Sequence, residues 1–467
     1  MEISENRFSG LFKRAFIYLS IIIFFISFNF KDTPSPFGWY QQFLPNLNGR
    51  IITDICFLDS LTGWGVTNAK NLSVDTAYVL KTTNGGDNWV IQYKKIQTGG
   101  GFSSYLRVYF LNQNTGFTCG VNGIFKSTNG GTNWISIEAS GNTYEDMSIL
   151  NQDTLWIVSS ESLMGGVFRT TNGGLNWTQQ FSDGPDNPNK IYMFNARIGF
   201  ISDNTNWSGI KKTTNGGYNW FVVVPSPNEG FNDMNFIDSL TGWKSTGYPD
   251  SSMKKTTNGG LNWIIQILPH GGYISNLAGI VNFSIINKDT LWGVGNYIRY
   301  PNNQVRPMLY RTTNGGNDWQ YQIPDTSLIH ISGSCWFINF VNKSIGWAYT
   351  YNLKNGIHTI TGGDTIFFTG ILQKSTKIPI QFVLKQNYPN PFNPRTVIGY
   401  ELKKAGDIKI KVYSITGSEV FTLVNQRQTA GVYEVDMPGI GLSSGVYFYS
   451  LLVDNKRIDS KSMVLIK

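Results

Sequence analysis

The chain has 467 residues, 15% of them charged and 14% aromatic, with 50 glycines, 14 tryptophans, three cysteines, three histidines and a formal net charge of +8. These values exclude a disordered chain, a coiled coil, a disulfide-linked miniprotein and a four-thiolate zinc site. The length exceeds what a single hydrophobic core supports, so several domains or a repeat array are expected.

Residues 1–31 are the first predicted element, an export signal peptide. Lys13 and Arg14 precede an uncharged apolar run of 16 residues, AFIYLSIIIFFISFNF. This run is shorter than the about 20 residues that cross a bilayer as a helix, which favours a signal over a membrane span. No small-x-small cleavage site follows, so a cleaved signal and an uncleaved anchor both stay open, and no cysteine follows that would indicate a lipoprotein.

A repeated octamer dominates the middle of the chain. Its intact copies are TTNGGDNW, STNGGTNW, TTNGGLNW, TTNGGYNW, TTNGGLNW and TTNGGNDW, spaced by 43 to 56 residues. A decayed seventh copy, TITGGDTI, ends at Ile366. A second element precedes every copy, for example CFLDSLTGWGV from Cys56 and NFIDSLTGWKST from Asn235. Seven such pairs indicate a repeat architecture.

Each repeat unit predicts four short antiparallel strands. The NGG tripeptide lies between apolar runs, and Asn and Gly there favour a tight hairpin because both accept a positive φ. Four strands in each period of about 40–50 residues are typical of a β-propeller blade. We therefore predict an all-β fold with a seven-bladed propeller over residues 36–370. The segment Gly38–Gln42, GWYQQ, resembles the strand after each octamer and is predicted to complete the last blade.

The octamer resembles the Asp-box (BNR) repeat, Ser/Thr-x-Asp-x-Gly-x-x-Trp, of sialidases, sortilin-type receptors and photosystem II assembly-factor propellers. Every intact copy has Asn where that pattern has Asp, and Asn can still cap the turn. The resemblance implies that the octamer is structural and lies away from any active site. Its structural residues are Asn84, Gly86, Trp89, Asn129, Gly131, Trp134, Asn172, Gly174, Trp177, Asn215, Gly217, Trp220, Asn258, Gly260, Trp263, Asn314, Gly316 and Trp319.

Variable connections locate the predicted binding face. In an up-and-down blade the two conserved turns share one end, so the length variation at 68–78, 92–105, 181–190 and 296–308 falls at the other end. Repeat proteins commonly bind ligands at such loops. Exposed Tyr and Arg are frequent contact residues, which makes Tyr297, Arg299, Tyr300 and Arg306 the candidate contacts for a glycan or a protein. The alternative is that these residues only belong to a long loop.

Catalysis has little support in the sequence. Arg50 lies in NGRIITD, which departs from the sialidase arginine motif, and GLSSG (441–445) resembles a nucleophile elbow that no histidine follows. Asp183 and Asp186 are the paired carboxylates on the variable side that glycoside hydrolysis would need. A sialidase-like glycoside hydrolase acting on extracellular glycans is therefore the alternative to a non-catalytic binding or scaffold propeller. No cofactor and no metal site are predicted.

Residues 371–381 are predicted as a linker, and residues 382–467 as a small antiparallel Ig-like β-sandwich of about seven strands. The segments NYPNPFNP, VYSITGSEV, LSSGVYFY and KSMVLIK resemble the type A C-terminal sorting domain of the type IX secretion system. The resemblance implies two partners, the secretion translocon and its sortase-like peptidase, and a secreted or cell-surface location. It assigns the sorting signal to Asn387, Pro389, Asn390, Pro391, Gly417, Gly445, Lys461 and Lys467.

The distribution of charge argues against a nucleic-acid partner. Residues 1–31 carry a net charge of +2 and residues 370–467 carry +6, whereas residues 32–369 contain 21 basic and 21 acidic residues. The predicted propeller is therefore neutral, and we expect a monomer that does not bind nucleic acid. Four Asp-Ser/Thr-Leu triplets, beginning at Asp59, Asp153, Asp238 and Asp289, are explained equally well as turns or as O-glycosylation signals.

Overall fold

The computed structural model describes most of the chain from Gly38 onward. The described residues are 38–68, 76–96, 105–121, 123–137, 143–159, 165–182, 188, 190–202, 209–224, 231–246, 252–270, 274, 279–299, 303–324, 328, 333–350, 355–364, 367–368, 370–393, 395–439 and 442–466. The predicted export signal lies outside them. In this part of the chain, no helix has the length and apolar character needed to cross a membrane.

The structure is all-β, as predicted. The first 28 strands are, in chain order, β1 (Gly38–Phe43), β2 (Ile52–Phe57), β3 (Gly63–Thr67), β4 (Thr76–Thr82), β5 (Val90–Ile96), β6 (Tyr105–Phe110), β7 (Gly116–Gly120), β8 (Gly123–Ser127), β9 (Ile135–Ser136), β10 (Asp146–Ile149), β11 (Leu155–Ser159), β12 (Gly166–Thr170), β13 (Thr178–Phe181), β14 (Lys190–Met193), β15 (Gly199–Ser202), β16 (Ile210–Thr213), β17 (Phe221–Val224), β18 (Asp233–Phe236), β19 (Gly242–Ser245), β20 (Met253–Thr256), β21 (Ile264–Gln266), β22 (Asn282–Ile285), β23 (Leu291–Arg299), β24 (Val305–Thr312), β25 (Gln320–Gln322), β26 (Cys335–Phe340), β27 (Gly346–Thr350) and β28 (Asn355–Gly363).

These strands form seven four-stranded antiparallel sheets, the blades of the predicted propeller. Blades 1 to 6 each contain four consecutive strands, beginning with β2, β6, β10, β14, β18 and β22. Blade 7 has the order β1-β28-β27-β26, so its outermost strand comes from the amino-terminal side of the ring. The prediction that GWYQQ completes the last blade is confirmed.

Buried aromatic side chains on the second strand of each blade hold neighbouring blades together. Trp64 of blade 1 stacks on Phe110 of blade 2 with ring centroids 3.6 Å apart, and Trp347 of blade 7 stacks in the same way on Phe57 of blade 1. Stacking of this kind adds to the free energy gained by burying the rings. The residues at this position are Trp64, Phe117, Trp156, Phe200, Trp243, Trp292 and Trp347, all of them fully buried.

The octamer forms a tight turn stabilised by its own side chains. The Thr82 hydroxyl accepts a hydrogen bond from the Gly86 N–H and donates one to Asn84 Oδ1, which also accepts from the Asn88 N–H. Gly85 and Gly86 have φ values of 70° and 87°, which glycine adopts without strain. The same hydrogen bonds recur in the other five intact copies.

The octamer and the preceding GW element are linked across blades. The Trp64 indole N–H of blade 1 donates to the Gly130 carbonyl in the octamer of blade 2, at 2.9 Å. Across the closure, the Trp347 indole donates to the Gly85 carbonyl at 2.7 Å. The indoles of Trp156 and Trp243 bond in the same way to the octamers of blades 4 and 6, so at four of the seven positions the GW element of one blade bonds to the octamer of the next.

The turn between the first and second strands is built on one side-chain acceptor. Asp59 Oδ1 accepts the N–H groups of Leu61 and Thr62, at 2.8 and 2.7 Å. Asn151 does the same for the N–H groups of Asp153 and Thr154. Turn capping therefore explains the aspartate of the Asp-Ser/Thr-Leu triplet at Asp59. At Asp153 it does not, because the capping side chain there is Asn151.

The carboxyl-terminal domain is the predicted antiparallel sandwich, but it has eight strands. Its two sheets have the orders β29-β34-β31-β30 and β33-β32-β35-β36. The extra strand lies within residues 371–381, the predicted linker, and pairs with β34. The strands are β29 (Ile371–Ser375), β30 (Val383–Leu384), β31 (Arg395–Leu402), β32 (Gly406–Ser414), β33 (Glu419–Gln428), β34 (Gly431–Pro438), β35 (Gly445–Val453) and β36 (Lys456–Leu465).

A short stretch of chain ties the sandwich to the propeller. Phe368 pairs through both backbone groups with Tyr321 of blade 6, and Ile371 N–H donates to the His270 carbonyl at 3.2 Å. Gly370, whose carbonyl accepts from the Asp436 N–H, has a φ of 68°. A Cβ at Gly370 would lie 2.8 Å from the His270 carbonyl oxygen, so this close approach requires glycine.

Candidate functional site

The first strands of the blades surround the propeller axis, and alternate side chains on them face the central channel. On β14 and β18, half-buried residues at the first and third positions alternate with buried ones. Two rings of channel-facing side chains result. The outer ring, nearer the variable connections, is Asp54, Arg107, Asp146, Lys190, Asp233, Asn282 and Phe337, and the inner ring is Cys56, Tyr109, Ser148, Tyr192, Asn235, Ser284 and Asn339.

Acceptors in the outer ring bond to the backbone of the next blade. Asp54 Oδ2 accepts from the Val108 N–H at 2.9 Å, and Asp233 Oδ2 accepts from the Phe283 N–H at 3.0 Å. Asp146 bonds in the same way to blade 4, and Asn282 to blade 7. Each of these side chains therefore joins two blades as well as facing the channel.

The inner ring repeats this arrangement with neutral groups. Ser148 Oγ accepts from the Met193 N–H at 2.8 Å, and Ser284 Oγ accepts from the Phe340 N–H at 3.0 Å. Asn339 of blade 7 accepts from the Phe57 N–H of blade 1 at 3.2 Å. The hydrogen bonds therefore continue across the closure of the ring.

The charges of the outer ring alternate around blades 1 to 5. Asp54, Arg107, Asp146, Lys190 and Asp233 follow one another, and Arg107 Nε lies 2.9 Å from Asp146 Oδ1. Burial raises the pKa of Asp54 to about 6, against the opposing effect of Arg107, and raises that of Asp233. Burial and the nearby Arg107 lower the pKa of Lys190. Burial acts to lower the pKa of Arg107, but Asp146 and Asp54 outweigh it and raise that pKa.

The channel widens into a cavity of about 250 Å³ beside blades 5, 6, 7, 1 and 2. Two carboxylates line it, Asp54 and Asp233, whereas Arg107 and Lys190 do not. The aromatic rings of Tyr109 and Phe337 form part of the wall. The remaining lining residues are Ile55, Cys56, Val108, Asn282, Phe283, Ile338, Asn339, Trp347 and Tyr349. Among the described residues, no group of three metal-ligating side chains is present.

The predicted contact residues lie on a long hairpin at the variable end. Beyond a bulge, β23 and β24 pair Tyr297 with Pro307 and Arg299 with Val305. The Arg299 guanidinium lies 5.7 Å from the centre of the Tyr297 ring. Tyr300 lies outside the described residues. Arg306 is not the exposed residue that the sequence predicts, because it is 5% exposed and its Nη1 donates to the Leu328 carbonyl.

The paired carboxylates that the alternative, a glycoside hydrolase, would use are not described. Asp183 and Asp186 lie outside the described residues, so their mutual geometry remains a prediction. The channel carboxylates were missed by the sequence analysis, because only three of the seven repeats have Asp at this position and the partner of each lies in the next blade. Aligning the seven first strands would have revealed them as one column.

The sorting-signal residues organise the start of the sandwich. The Asn387 side chain is buried and donates to the Pro389 carbonyl and to Thr396 Oγ1, at 3.1 and 2.9 Å. Asn390 Oδ1 accepts from the Val464 N–H of the last strand at 2.9 Å. The peptide bonds preceding Pro389 and Pro391 are cis.

The other sorting-signal residues lie at turns and on the last two strands. Gly417 has a φ of 83° in the turn between β32 and β33, and Gly445 pairs with Leu465. Lys461 is partly exposed and lies 3.4 Å from Asp459. Lys467 lies outside the described residues.

A comparison with protein families identifies the carboxyl-terminal domain. Residues 386–466 match the family described as the secretion system C-terminal sorting domain. No curated protein matches the sequence significantly. The sandwich is therefore a sorting domain, and the protein is exported through the type IX secretion system to the cell surface or the extracellular space.

Solved β-propellers resemble the chain in fold. YCF48 bound to a D1 peptide is 16% identical with a TM-score of 0.51, and the match covers 70% of this chain and 97% of that one. YCF48 from Cyanidioschyzon merolae is also 16% identical, with a TM-score of 0.48 and coverage of 69% and 98%. PorZ, a surface component of the type IX secretion system of Porphyromonas gingivalis, is 12% identical, with a TM-score of 0.43 and coverage of 88% and 59%. At these identities the likeness concerns the fold alone.

Proposed function

We propose that this exported protein is a non-catalytic binding or scaffold module whose propeller presents a ligand face on a rigid ring. The observation that carries the proposal is the use of the channel carboxylates. Asp54, Asp146 and Asp233 each accept a backbone N–H from the following blade. A catalytic acid or base must exchange its proton with substrate, whereas each of these carboxylates has one oxygen bonded to the neighbouring blade and so contributes to the closed ring.

The hairpin of β23 and β24 supports a binding role for the variable end. Its strands have nine and eight residues, whereas the second and third strands of blade 5 have four each. Arg306 anchors the hairpin to Leu328, and Ile298 forms a bridge to Ile274. The hairpin is therefore fixed at two points while Arg299 stays exposed. A rigid aromatic and guanidinium pair suits a glycan ring or a protein side chain.

The experiment is a glycan and protein-ligand screen with the exported full chain, followed by binding measurements on variants. Tyr297→Ala and Arg299→Ala should weaken binding of any identified ligand at least tenfold. Arg197→Ala, an exposed position in a turn at the opposite end of the ring, is the matched control and should leave affinity unchanged. Equal affinity in all three variants would remove the variable end from the proposal.

A glycoside hydrolase is the second candidate, and one observation favours it. Asp54 and Asp233 line the same cavity, and the pKa of Asp54, raised by burial to about 6, is in the range of a general acid. Hydrolysis of this kind uses two carboxylates. Release of reducing sugar that is abolished by Asp54→Asn, Asp233→Asn, Asp183→Asn or Asp186→Asn would establish this alternative, while binding without release supports the module.

A further inference from the structure

We infer that the channel cavity binds a small organic cation, an alkylammonium or guanidinium group carried on a short apolar body. This inference goes beyond the proposed ligand face and adds a second, independent site. It concerns the cavity lined by Asp54, Asp233, Tyr109 and Phe337, not the hairpin at the variable end.

The charge of the lining selects a cation. Two half-buried carboxylates, Asp54 and Asp233, line the cavity, and no Lys or Arg side chain does. The cationic members of the outer ring do not line the cavity, and Arg107 is bonded to Asp146, although the charge of Arg107 also acts on Asp54 and Asp233. A concave site walled by protein focuses the field of such groups, so an entering cation is attracted more strongly than at a flat surface.

The carboxylates retain capacity for a ligand. A carboxylate offers about four acceptor sites. Asp233 Oδ2 accepts from the Phe283 N–H and from Asn282 Nδ2, both of which orient the carboxylate. Asp54 is oriented in the same way by the Val108 N–H. Fixed orientation lowers the entropy that a ligand must overcome when it binds.

The apolar part of the wall suits the rest of the ligand. The rings of Tyr109 and Phe337 can interact with a cation through their faces. Cys56, which faces the channel from the same strand as Asp54, also lines the cavity. A volume of about 250 Å³ holds roughly eight water molecules at about 30 Å³ each, which matches a small amine rather than a sugar chain. The carboxylates bind the charged end, and the rings accommodate the apolar body.

The test is titration of the full exported chain with n-butylammonium, agmatine and tetramethylammonium, followed by calorimetry and by thermal shift. The neutral analogue n-butanol serves as the matched probe. We expect saturable binding of at least one cation and none of n-butanol. Asp54→Asn and Asp233→Asn keep an oxygen acceptor for the backbone N–H, so these variants should fold, and each should weaken binding at least tenfold. Phe337→Leu should weaken it by a smaller factor.

Asp238→Asn, an exposed turn residue that caps its own backbone in the same way as Asp59, is the control for loss of one negative charge and should bind like the parent. Failure of all three cations to bind the folded protein overturns the inference, as does binding that Asp54→Asn and Asp233→Asn leave unchanged. Either result leaves the variable-end proposal standing, because the glycan and protein screen does not depend on the cavity.

Discussion

The imidazole of His358 lies flat on the indole of Trp347, with ring centroids 4.6 Å apart and an interplanar angle of 7°. In the other six blades this third-strand position is a Lys or Arg whose charge lies near the second-strand aromatic ring, as Lys81 lies near Trp64. Blade 7 therefore substitutes an imidazole for a cation. The difference coincides with the closure of the ring, because His358 Nδ1 also contacts the Tyr40 hydroxyl of β1.

We expect the closing blade to be sensitive to acid through His358. Burial lowers the pKa of His358 to about 4, with Asp87 opposing, whereas an unfolded histidine titrates near 6.5. The unfolded chain therefore binds more protons between these pH values, so stability is full above pH 6.5 and declines as the pH falls toward 4. His358→Gln removes this contribution, roughly 3 kcal/mol at most, and should flatten the dependence of the melting temperature on pH.

The control for this prediction is His270→Gln, at an exposed position. It should reproduce the parent slope. Asp54 and Asp233 have raised pKa values, so they make stability fall as the pH rises, the opposite of the effect of His358. Both are present in the two variants, so their effect cancels in the comparison. An unchanged slope in His358→Gln would contradict the assignment.

The hydrogen bonds that close the ring should contribute measurably to stability. Gln42 of β1 is buried, donates to the Gly85 carbonyl at 2.7 Å and accepts from the Tyr349 hydroxyl at 2.8 Å. Gln42→Leu removes one hydrogen bond from the Gly85 carbonyl and one from the Tyr349 hydroxyl. We therefore expect the free energy of unfolding, measured by chemical denaturation, to fall by about 1–3 kcal/mol. Gln41→Ala, in the same strand but only partly buried, should cost less. Equal losses would show that the network itself is unimportant.

The asparagine of the octamer should be replaceable by aspartate and not by alanine. Asn84 Oδ1 accepts from the Asn88 N–H and from the Thr82 hydroxyl, and an Asp carboxylate can accept both bonds. Asn84→Asp should therefore change the free energy of unfolding by less than about 0.5 kcal/mol, whereas Asn84→Ala should cost about 1 kcal/mol. The opposite order would contradict the capping role.

Surface display should depend on the folded sorting domain. Deletion of residues 382–467 should leave the protein in the periplasm, as measured by cell fractionation and by protease accessibility on intact cells. Asn387→Ala, which removes the bonds to Pro389 and Thr396, should reduce display several-fold. Asn425→Ala, an exposed position on β33, is the control and should be displayed normally. Undiminished display of the truncated chain would contradict the export assignment.

The repeats made the blades, the closure and the turn of the octamer predictable, because each depends on residues that recur or lie close in sequence. The pairing of Trp64 with Gly130 could not be predicted, since it joins motifs in different blades. The strand Ile371–Ser375 was missed because three of its five residues are polar, which suits an edge strand that pairs only with β34. The exposure expected of Arg306 was wrong, because sequence does not distinguish an anchoring arginine from an exposed one.

The order of strands in blade 7 determines how the ring responds to mechanical load. The chain leaves the propeller through β28, which is hydrogen-bonded on one side to β27 and on the other to β1. Tension applied to the sorting domain along β28 would therefore load two antiparallel ladders at once, whereas a terminal edge strand would be held by one. We expect the propeller to resist opening when it is pulled by its carboxyl end.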